Sequence, residues 1–305
     1  MEAPAISVVV PAYRADATLS GCLDSVLSQR VDFVYEVIVV ASADTPEGLP
    51  ALAPDERLRV IERVPRVGCG PARAIGIEAA RAELIAWIDA DALAAPGWLS
   101  HLFAASEGRY CAAGAVTNGT PGSPWGTVQY LCEFLNFHPR RPARSAWQGV
   151  GCNLLVPRPL WDAAGPLPRG VSGEEADTWF TSGLAAKGLL RFAPGAQVSH
   201  LNRTRAKEVL GHLYRMGRYT NELAATHGHR YGVLASSPWL VPVAVVGRFL
   251  ACYVRLAVWS PRELARAVPL APLVALGLVA WGAGSARQGL ARWGLSARRR
   301  APASH

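Results

Sequence analysis

The chain has 305 residues, of which 50% are hydrophobic and 18% are charged, and it carries a formal net charge of +8. This composition is too apolar and too weakly charged for intrinsic disorder, and the length allows one large domain or two modest ones. The six cysteines contain no C-x-x-C spacing, which argues against a zinc site, and nothing in their pattern indicates an oxidising compartment. The N-terminus lacks a basic segment and an apolar run of signal-peptide length, so we expect most of the chain to face the cytosol.

The first hundred residues alternate between strand-like and helix-like patterns. Short β-branched runs predict four strands, over 6–10, 35–40, 57–64 and 84–88. Apolar residues at helical spacing predict two helices, over 18–29 and 71–81. This alternation predicts an α/β fold with a mainly parallel sheet covered by helices on both faces, in which a ligand lies at the carboxyl ends of the strands.

The pattern becomes less regular between about residues 110 and 200. The stretch 117–125 is typical of a loop, 171–188 joins an acidic cluster to a helical pattern, and 192–200 is predicted as a strand or extended segment. After residue 232 the chain becomes more apolar. We therefore predict one domain over 1–232 and a membrane-associated helical region with a basic tail over 233–305.

Two apolar stretches in the C-terminal region, 239–259 and 264–284, approach the length that spans a bilayer. The first contains Arg248 and Arg255, which are costly inside a membrane span. Three interpretations stay open: a helical hairpin through the membrane, helices lying in or on the cytosolic leaflet, or buried globular helices. In the membrane cases, the arginine triplet at 298–300 would favour anionic lipid headgroups.

The most informative short motif is Asp89-Ala90-Asp91, at the end of the fourth predicted strand. Two carboxylates one residue apart point the same way and can together hold a hard divalent ion such as Mg²⁺ or Mn²⁺ on a diphosphate. The alternative is a polar strand end with a helix cap, because this short motif also occurs by chance. The surrounding sequence favours the metal interpretation.

Seven segments follow the order and spacing of a known family's sequence blocks. They are Val8–Tyr13, Glu36–Val40, Gly70–Gly76, Ala86–Asp91, Gly149–Leu154, Gly173–Asp177 and Pro194–His200. On these blocks the chain resembles the family 2 glycosyltransferases over about residues 5–220. The resemblance implies the GT-A fold and inverting transfer of a sugar from a nucleotide-diphosphate-sugar donor.

The resemblance also implies roles for individual residues toward the donor and its metal ion. The residues that would border the nucleobase and ribose are Pro11, Ala12 and Tyr13. Arg73 would reach the diphosphate or base, Asp89 the ribose or metal, Asp91 would ligate the metal, and His200 would lie near the metal or diphosphate. One position departs from the family pattern: the usual acidic pair after the second strand is missing. Two interpretations stay open: Asp44 substitutes for it in a shifted register, or the contact with the nucleobase is lost.

The acidic cluster within 171–188 is where the resemblance implies the general base. Glu175 matches that position, and Glu174 lies beside it. A carboxylate there can take the proton of an acceptor hydroxyl as it attacks the anomeric carbon. The structural alternative is that Glu174 caps the helix and Asp177 pairs with a basic residue.

These observations predict a metal-dependent, inverting glycosyltransferase at the cytoplasmic face of the cell membrane, with a lipid or lipid-linked glycan as acceptor. A polyprenyl-phosphate glycosyltransferase is a close variant, and a catalytically silent GT-A scaffold at the membrane is an alternative of a different class. A dinucleotide-binding enzyme is disfavoured, because Arg73 stands where the glycine-rich fingerprint beginning at Gly68 needs its third glycine. We do not expect a nucleic-acid partner, because the basic residues lie beside apolar helices.

Overall fold

The computed structural model describes residues 3–143, 146–165, 176–227 and 237–300, and for 224–227 and 293–300 it describes the backbone. Within these ranges the chain forms eight strands in one sheet. They are β1 Ile6–Ala12, β2 Tyr35–Ser42, β3 Leu58–Arg63, β4 Leu84–Trp87, β5 Ala92–Ala94, β6 Cys111–Asn118, β7 Leu154–Pro157 and β8 Leu190–His200. The predicted strands in the first hundred residues are therefore confirmed, and so is the extended segment before His200.

The strand order is β3-β2-β1-β4-β7-β6-β8-β5. The pairs among β3, β2, β1 and β4 are parallel, as is the pair of β6 with β8. Strand β7 runs antiparallel to both of its neighbours, and β5 runs antiparallel to β8. The sheet is thus mixed, with a parallel N-terminal half that places the ends of β1, β2 and β4 at one edge.

The central strands are buried on both faces, which explains their continuous β-branched runs. All eight residues of β2 are buried, whereas β3 at the edge of the sheet is largely exposed. Helix α1 (Leu19–Leu27) and helix α2 (Cys69–Ala79) confirm the two predicted helices. Helix α2 lies very close to β1, since a Cβ on Gly76 would be 3.1 Å from Cγ2 of Val9.

Eight further helices follow in the described part of the chain. They are α3 Trp98–Ser106, α4 Pro124–Glu133, α5 Arg158–Ala164, α6 Ala176–Ala186, α7 Ala206–His227, α8 Val241–Trp259, α9 Pro261–Ala267 and α10 Ala271–Arg300. The predicted loop at 117–125 is shorter than expected, because β6 continues to Asn118 and α4 begins at Pro124. Proline at the first helical position suits α4, and the Ser123 hydroxyl accepts a hydrogen bond from the Gly126 amide at 3.1 Å.

The chain divides into two compact units. The first comprises 1–119 and 137–201 and contains the whole sheet; the second comprises 120–136 and 202–305 and contains α4 and the helices from α7 onward. The predicted boundary at residue 232 lies outside the described residues. Helix α7, which lies before that boundary in the sequence, belongs to the same compact unit as the C-terminal helices.

Within the second unit, two segments are long and apolar enough to cross a membrane, by length and composition: Pro238–Trp259 and Pro261–Arg292. A stripe of large apolar side chains on α8 is exposed, at Val243, Val246, Leu250, Val254 and Val258. The arginines of α8 lie on another face: Arg248 donates to the Cys132 carbonyl at 2.7 Å and Arg255 donates to Asn136 Oδ1 at 2.6 Å. The exposed apolar stripe therefore contains neither arginine.

Candidate active site

The centre of the candidate site is a buried ion pair at the carboxyl end of β4. Arg73 on α2 is almost completely buried, and its Nη2 donates to Asp89 Oδ1 at 2.6 Å. The guanidinium also lies over the ring of Trp87, at 5.6 Å from its centroid. A cation held this way has a fixed position at the strand end, where a phosphate-bearing ligand would lie.

Asp177, in the first turn of α6, adds a second carboxylate to this centre. Its side chain accepts hydrogen bonds from the backbone amides of Gly151 and Thr178. Burial raises the pKa of Asp177 to about 6, although the positive charge of Arg73 opposes the shift. Burial would lower the pKa of Arg73, but the surrounding Cys69 thiol and the carboxylates of Asp89 and Asp177 reverse this, so Arg73 stays charged.

A group of potential metal ligands lies beside the ion pair. Asp89, Cys152 and His200 each offer one ligand atom, and these atoms lie within 4.8 Å of one another. His200 Nε2 is also 3.4 Å from Asp91 Oδ1. The antiparallel pairing of β5 with β8 sets Ala92 opposite His200, and the Leu201 amide donates to the Asp91 carbonyl at 2.8 Å. The fold thus brings together an aspartate pair and a histidine that are more than a hundred residues apart.

This donor set fits a divalent cation. Carboxylate oxygens accept Mg²⁺ or Mn²⁺, and an imidazole nitrogen is compatible with Mn²⁺ and later transition metals. Asp89 shares one of its oxygens with Arg73, and its second oxygen gives the carboxylate a further acceptor. The residues present could therefore hold an ion between Asp89, Asp91 and His200.

A second cluster forms where β1 and β2 end. The Tyr13 hydroxyl donates to Asp44 Oδ2 at 2.9 Å, and Arg14 Nη2 donates to the same oxygen at 3.0 Å. The guanidinium of Arg66 lies 4.8 Å from the centroid of the Tyr13 ring. The hydrogen bond from Tyr13, together with Arg14 and Arg66, lowers the pKa of Asp44, so this exposed carboxylate is ionised at neutral pH. The face of the Tyr13 ring could stack on a nucleobase, and the Asp44 carboxylate could accept a hydrogen bond from a sugar hydroxyl.

The structure brings several residues proposed from the sequence into two neighbourhoods. Asp89, Asp91, His200 and Arg73 share one, and Tyr13 and Asp44 share the other. Pro11 and Ala12 lie at the end of β1, where they pair with Val40 and Ala41 of β2. Glu174 and Glu175 lie outside the described residues.

Two residues in these neighbourhoods, Cys152 and Arg66, were assigned no role from the sequence. The position of Asp177 next to Arg73 was not predicted either. The structural alternative for Asp177 named a basic partner without identifying it, and the charge of Arg73 acts on it. Cys152 lies inside a sequence block that the resemblance used, but a lone cysteine without C-x-x-C spacing gave no metal signal. Its neighbours come together only through the sheet, in which β7, beginning just after Cys152, pairs with β4 and β6.

Known proteins are similar to this chain in sequence and in fold. Residues 7–152 match the family model described as glycosyl transferase family 2. EpsH of Bacillus subtilis (strain 168), which carries a glycosyltransferase name, is 39% identical over 97 residues, or 30% of this chain and 27% of EpsH. The succinoglycan biosynthesis protein ExoO of Rhizobium meliloti (strain 1021) is 38% identical over 101 residues, or 32% of this chain and 29% of ExoO. These matches thus span less than a third of either relative.

A solved structure resembles the fold over nearly the whole chain. The mannosyltransferase PcManGT from Pyrobaculum calidifontis, in complex with GDP-Man and Mn²⁺, has a TM-score of 0.61 and 20% sequence identity, and the similarity covers 95% of this chain and 88% of that one. At this identity the likeness concerns the fold. The chain has a GT-A fold, as the sequence blocks implied. Its segment 7–152 is similar to the family 2 glycosyltransferases.

Proposed function

We propose that the protein is a metal-dependent, inverting glycosyltransferase that moves a sugar from a nucleotide-diphosphate-sugar to a membrane-associated acceptor. The observation that carries this proposal is the juxtaposition of Arg73, Asp89, Asp91 and His200 at one end of the parallel strands, in a chain similar to the family 2 glycosyltransferases. A buried cation beside a carboxylate metal site suits a diphosphate leaving group. PcManGT, which has the same fold, was solved with GDP-Man and Mn²⁺.

In this mechanism the residues of the chain bind the donor through two neighbourhoods. Tyr13 and Asp44, with Pro11 and Ala12 beside them, would receive the nucleobase and ribose, because they offer a ring face and an ionised acceptor. Arg73 would contact the diphosphate and stabilise the charge that develops as the bond to the anomeric carbon breaks. A Mg²⁺ or Mn²⁺ ion held by Asp91, Asp89 and His200 would supply further charge neutralisation.

The proposed general base is Glu175, with Glu174 as the second candidate. The base would take the acceptor's hydroxyl proton while the oxygen attacks the anomeric carbon from the face opposite the diphosphate, and a single displacement inverts that centre. Asp177 is poorly suited to this task. Its carboxylate already accepts backbone hydrogen bonds from Gly151 and Thr178, and it lies next to Arg73.

A membrane-associated acceptor is supported by the apolar stripe of α8. Val243, Leu250 and Val258 each expose more than half of their surface. A contiguous exposed stripe of this kind typically marks a membrane or protein interface. We further propose that the helices hold the protein at the cytoplasmic face of the membrane and that the acceptor is a lipid or lipid-linked glycan, with a polyprenyl phosphate as the close variant.

The second candidate function is a catalytically silent GT-A scaffold. The observation that favours it is the absence of an acidic pair where the resemblance expects one: Ala41 and Ser42 stand there, and they are the last two residues of β2. The contact of Asp44 with Tyr13 argues the other way, because it returns a carboxylate to the same end of the strands.

The decisive experiment incubates the full chain in lipid nanodiscs with a panel of labelled nucleotide sugars, Mn²⁺ or Mg²⁺, and a lipid extract. We expect a labelled lipid product from one donor, with an inverted anomeric centre by NMR and no product with chelator. Asp91→Asn should abolish transfer, and Glu175→Gln should slow it by about 10²–10⁴-fold. Glu78→Gln, an exposed position on α2, is the matched control and should keep full activity. Absence of product from every donor would favour the scaffold.

A further inference from the structure

The sulfur atom of Cys152 distinguishes this candidate metal site from one built of carboxylates and imidazole alone. Cys152 is 1% exposed, and its ligand atom lies within 4.8 Å of those of Asp89 and His200. A hard ion such as Mg²⁺ is bound by oxygen ligands, whereas thiolate selects Zn²⁺ and other soft or borderline ions. A set of one sulfur, one nitrogen and one or two carboxylates resembles the three-ligand sites of catalytic zinc, which keep a position open.

The backbone around Cys152 is held rigidly, so its side chain is a fixed part of the site. The next residue, Asn153, is completely buried. Its Oδ1 accepts from Trp98 Nε1 at 2.8 Å, and its Nδ2 donates to the Ala115 and Ala196 carbonyls at 2.8 Å each. These three bonds join the loop before β7 to α3, β6 and β8, which also carries His200. Rigid support of this kind favours metal binding, because the ligands are arranged before the ion arrives.

The geometry points to Cys152 as a metal ligand that makes the site select thiophilic divalent ions over Mg²⁺. We propose that the thiolate of Cys152 binds the ion together with Asp89, Asp91 and His200, and that the thiol proton is released to solvent on binding. The resident ion would then be Mn²⁺ or a softer ion, and Zn²⁺ and Cd²⁺ would bind most tightly. This inference deepens the proposed function, on which it rests for the identity of the site, and narrows the choice of metal.

The test measures metal binding to the full detergent-solubilised chain without any sugar donor. Cd²⁺ is titrated into the chelator-treated protein, and the ultraviolet charge-transfer band of a cadmium–thiolate bond is recorded. Affinities for Zn²⁺, Mn²⁺ and Mg²⁺ are measured by calorimetry. The variants are Cys152→Ser, Cys152→Ala and the matched control Cys111→Ser. Cys111 is equally buried, but it is the first residue of β6, whereas Asn118 at the other end of that strand pairs with His200.

We expect the wild type and Cys111→Ser to bind one equivalent of Cd²⁺ with the thiolate band. Both Cys152 variants should lose the thiolate band. Their affinity for Zn²⁺ and Cd²⁺ should fall at least about 10-fold, which is the scale of loss when a metal site is perturbed, while their affinity for Mg²⁺ stays close to that of the wild type. Thermal unfolding without metal shows whether each variant is folded, and serine and alanine provide two independent replacements. A Cys152 variant that is folded and keeps both the band and the affinity would overturn the inference.

This experiment separates the inference from the proposed function. If the full chain shows a Cys152-dependent cadmium band but transfers no sugar from any donor, the ligand assignment stands and the transferase proposal fails. If sugar transfer depends on Asp91 but metal selectivity is the same with and without Cys152, the transferase proposal stands and the ligand assignment fails.

Discussion

Gly151→Ala adds one methyl group next to the ion pair of Arg73 and Asp89 and so tests whether that pair is packed as described. A Cβ on Gly151 would lie 2.5 Å from Cζ and 2.6 Å from Nη1 of Arg73. Carbon and nitrogen atoms in ordinary contact are about 3.5–4.0 Å apart, so the guanidinium would have to retreat by about 1 Å. Arg73 is buried and bonded to Asp89, so it has little room to retreat without weakening that bond.

The expected magnitude follows from overpacking and from the ion pair. Overpacking a buried site costs about 1–3 kcal/mol, and for a unit the size of the one that contains the sheet each kcal/mol lowers the unfolding temperature by about 2–4 °C. Gly151→Ala should therefore unfold about 2–12 °C below the wild type. If Arg73 contacts the diphosphate, the displaced guanidinium should also weaken nucleotide binding, by about tenfold for each 1.4 kcal/mol lost.

The matched control is Gly183→Ala on α6. A Cβ on Gly183 meets no atom within 4 Å, and alanine favours a helix over glycine by up to about 1 kcal/mol. Thermal unfolding of both variants, with and without nucleoside diphosphate and Mn²⁺, separates a general effect of the methyl group from an effect on Arg73. An unfolding temperature and a nucleotide affinity that both equal the wild type's in Gly151→Ala would refute the buried position assigned to the guanidinium.

Three further substitutions test other parts of the structure. Because the pKa of Asp177 is raised in the native state, the native state keeps a proton that the unfolded state loses between about pH 4 and pH 6. The free energy of unfolding should therefore fall by up to about 3 kcal/mol as the pH rises through that range. In Asp177→Asn this dependence on pH should be absent from denaturant titrations. Tyr13→Phe deletes the hydrogen bond to Asp44 at the surface, so nucleotide affinity should fall by roughly 2- to 10-fold with an unchanged unfolding temperature. Gly217→Ala would place a Cβ 2.8 Å from the carbonyl carbon of Trp281, and the clash with this backbone should lower the unfolding temperature, whereas Gly247→Ala, with open space, should not.

The parallel half of the sheet was predictable because its strands are buried on both faces. Burial on both faces requires continuous β-branched runs, and such runs at 6–10 and 35–40 gave both strands directly. The strand at 57–64 was recognised by the same pattern although β3 is largely exposed at the sheet edge. The antiparallel position of β7 was not predictable, because pairing direction depends on the whole topology and not on any local period.

The candidate site was predictable only in part, for a related reason. Asp89 and Asp91 form a local motif, so their spacing could be interpreted directly. The neighbours of Cys152 come together only through the sheet. The apolar stretch at 264–284 does not mark the bounds of one helix. Helix α9 ends at Ala267, and α10 begins at Ala271 and continues to Arg300, since helix formation does not require an apolar sequence.

The central claim is that the end of the parallel strands binds a nucleoside diphosphate through a divalent ion. The most direct measurement is equilibrium binding of UDP and GDP to the full chain by calorimetry, with Mn²⁺ and with chelator, for the wild type, Asp91→Asn and the control Glu78→Gln. We expect one diphosphate to bind the wild type and Glu78→Gln only when Mn²⁺ is present, and to bind Asp91→Asn at least about 10-fold more weakly. Binding that is insensitive both to chelator and to Asp91→Asn, or no binding of either diphosphate, would contradict the claim.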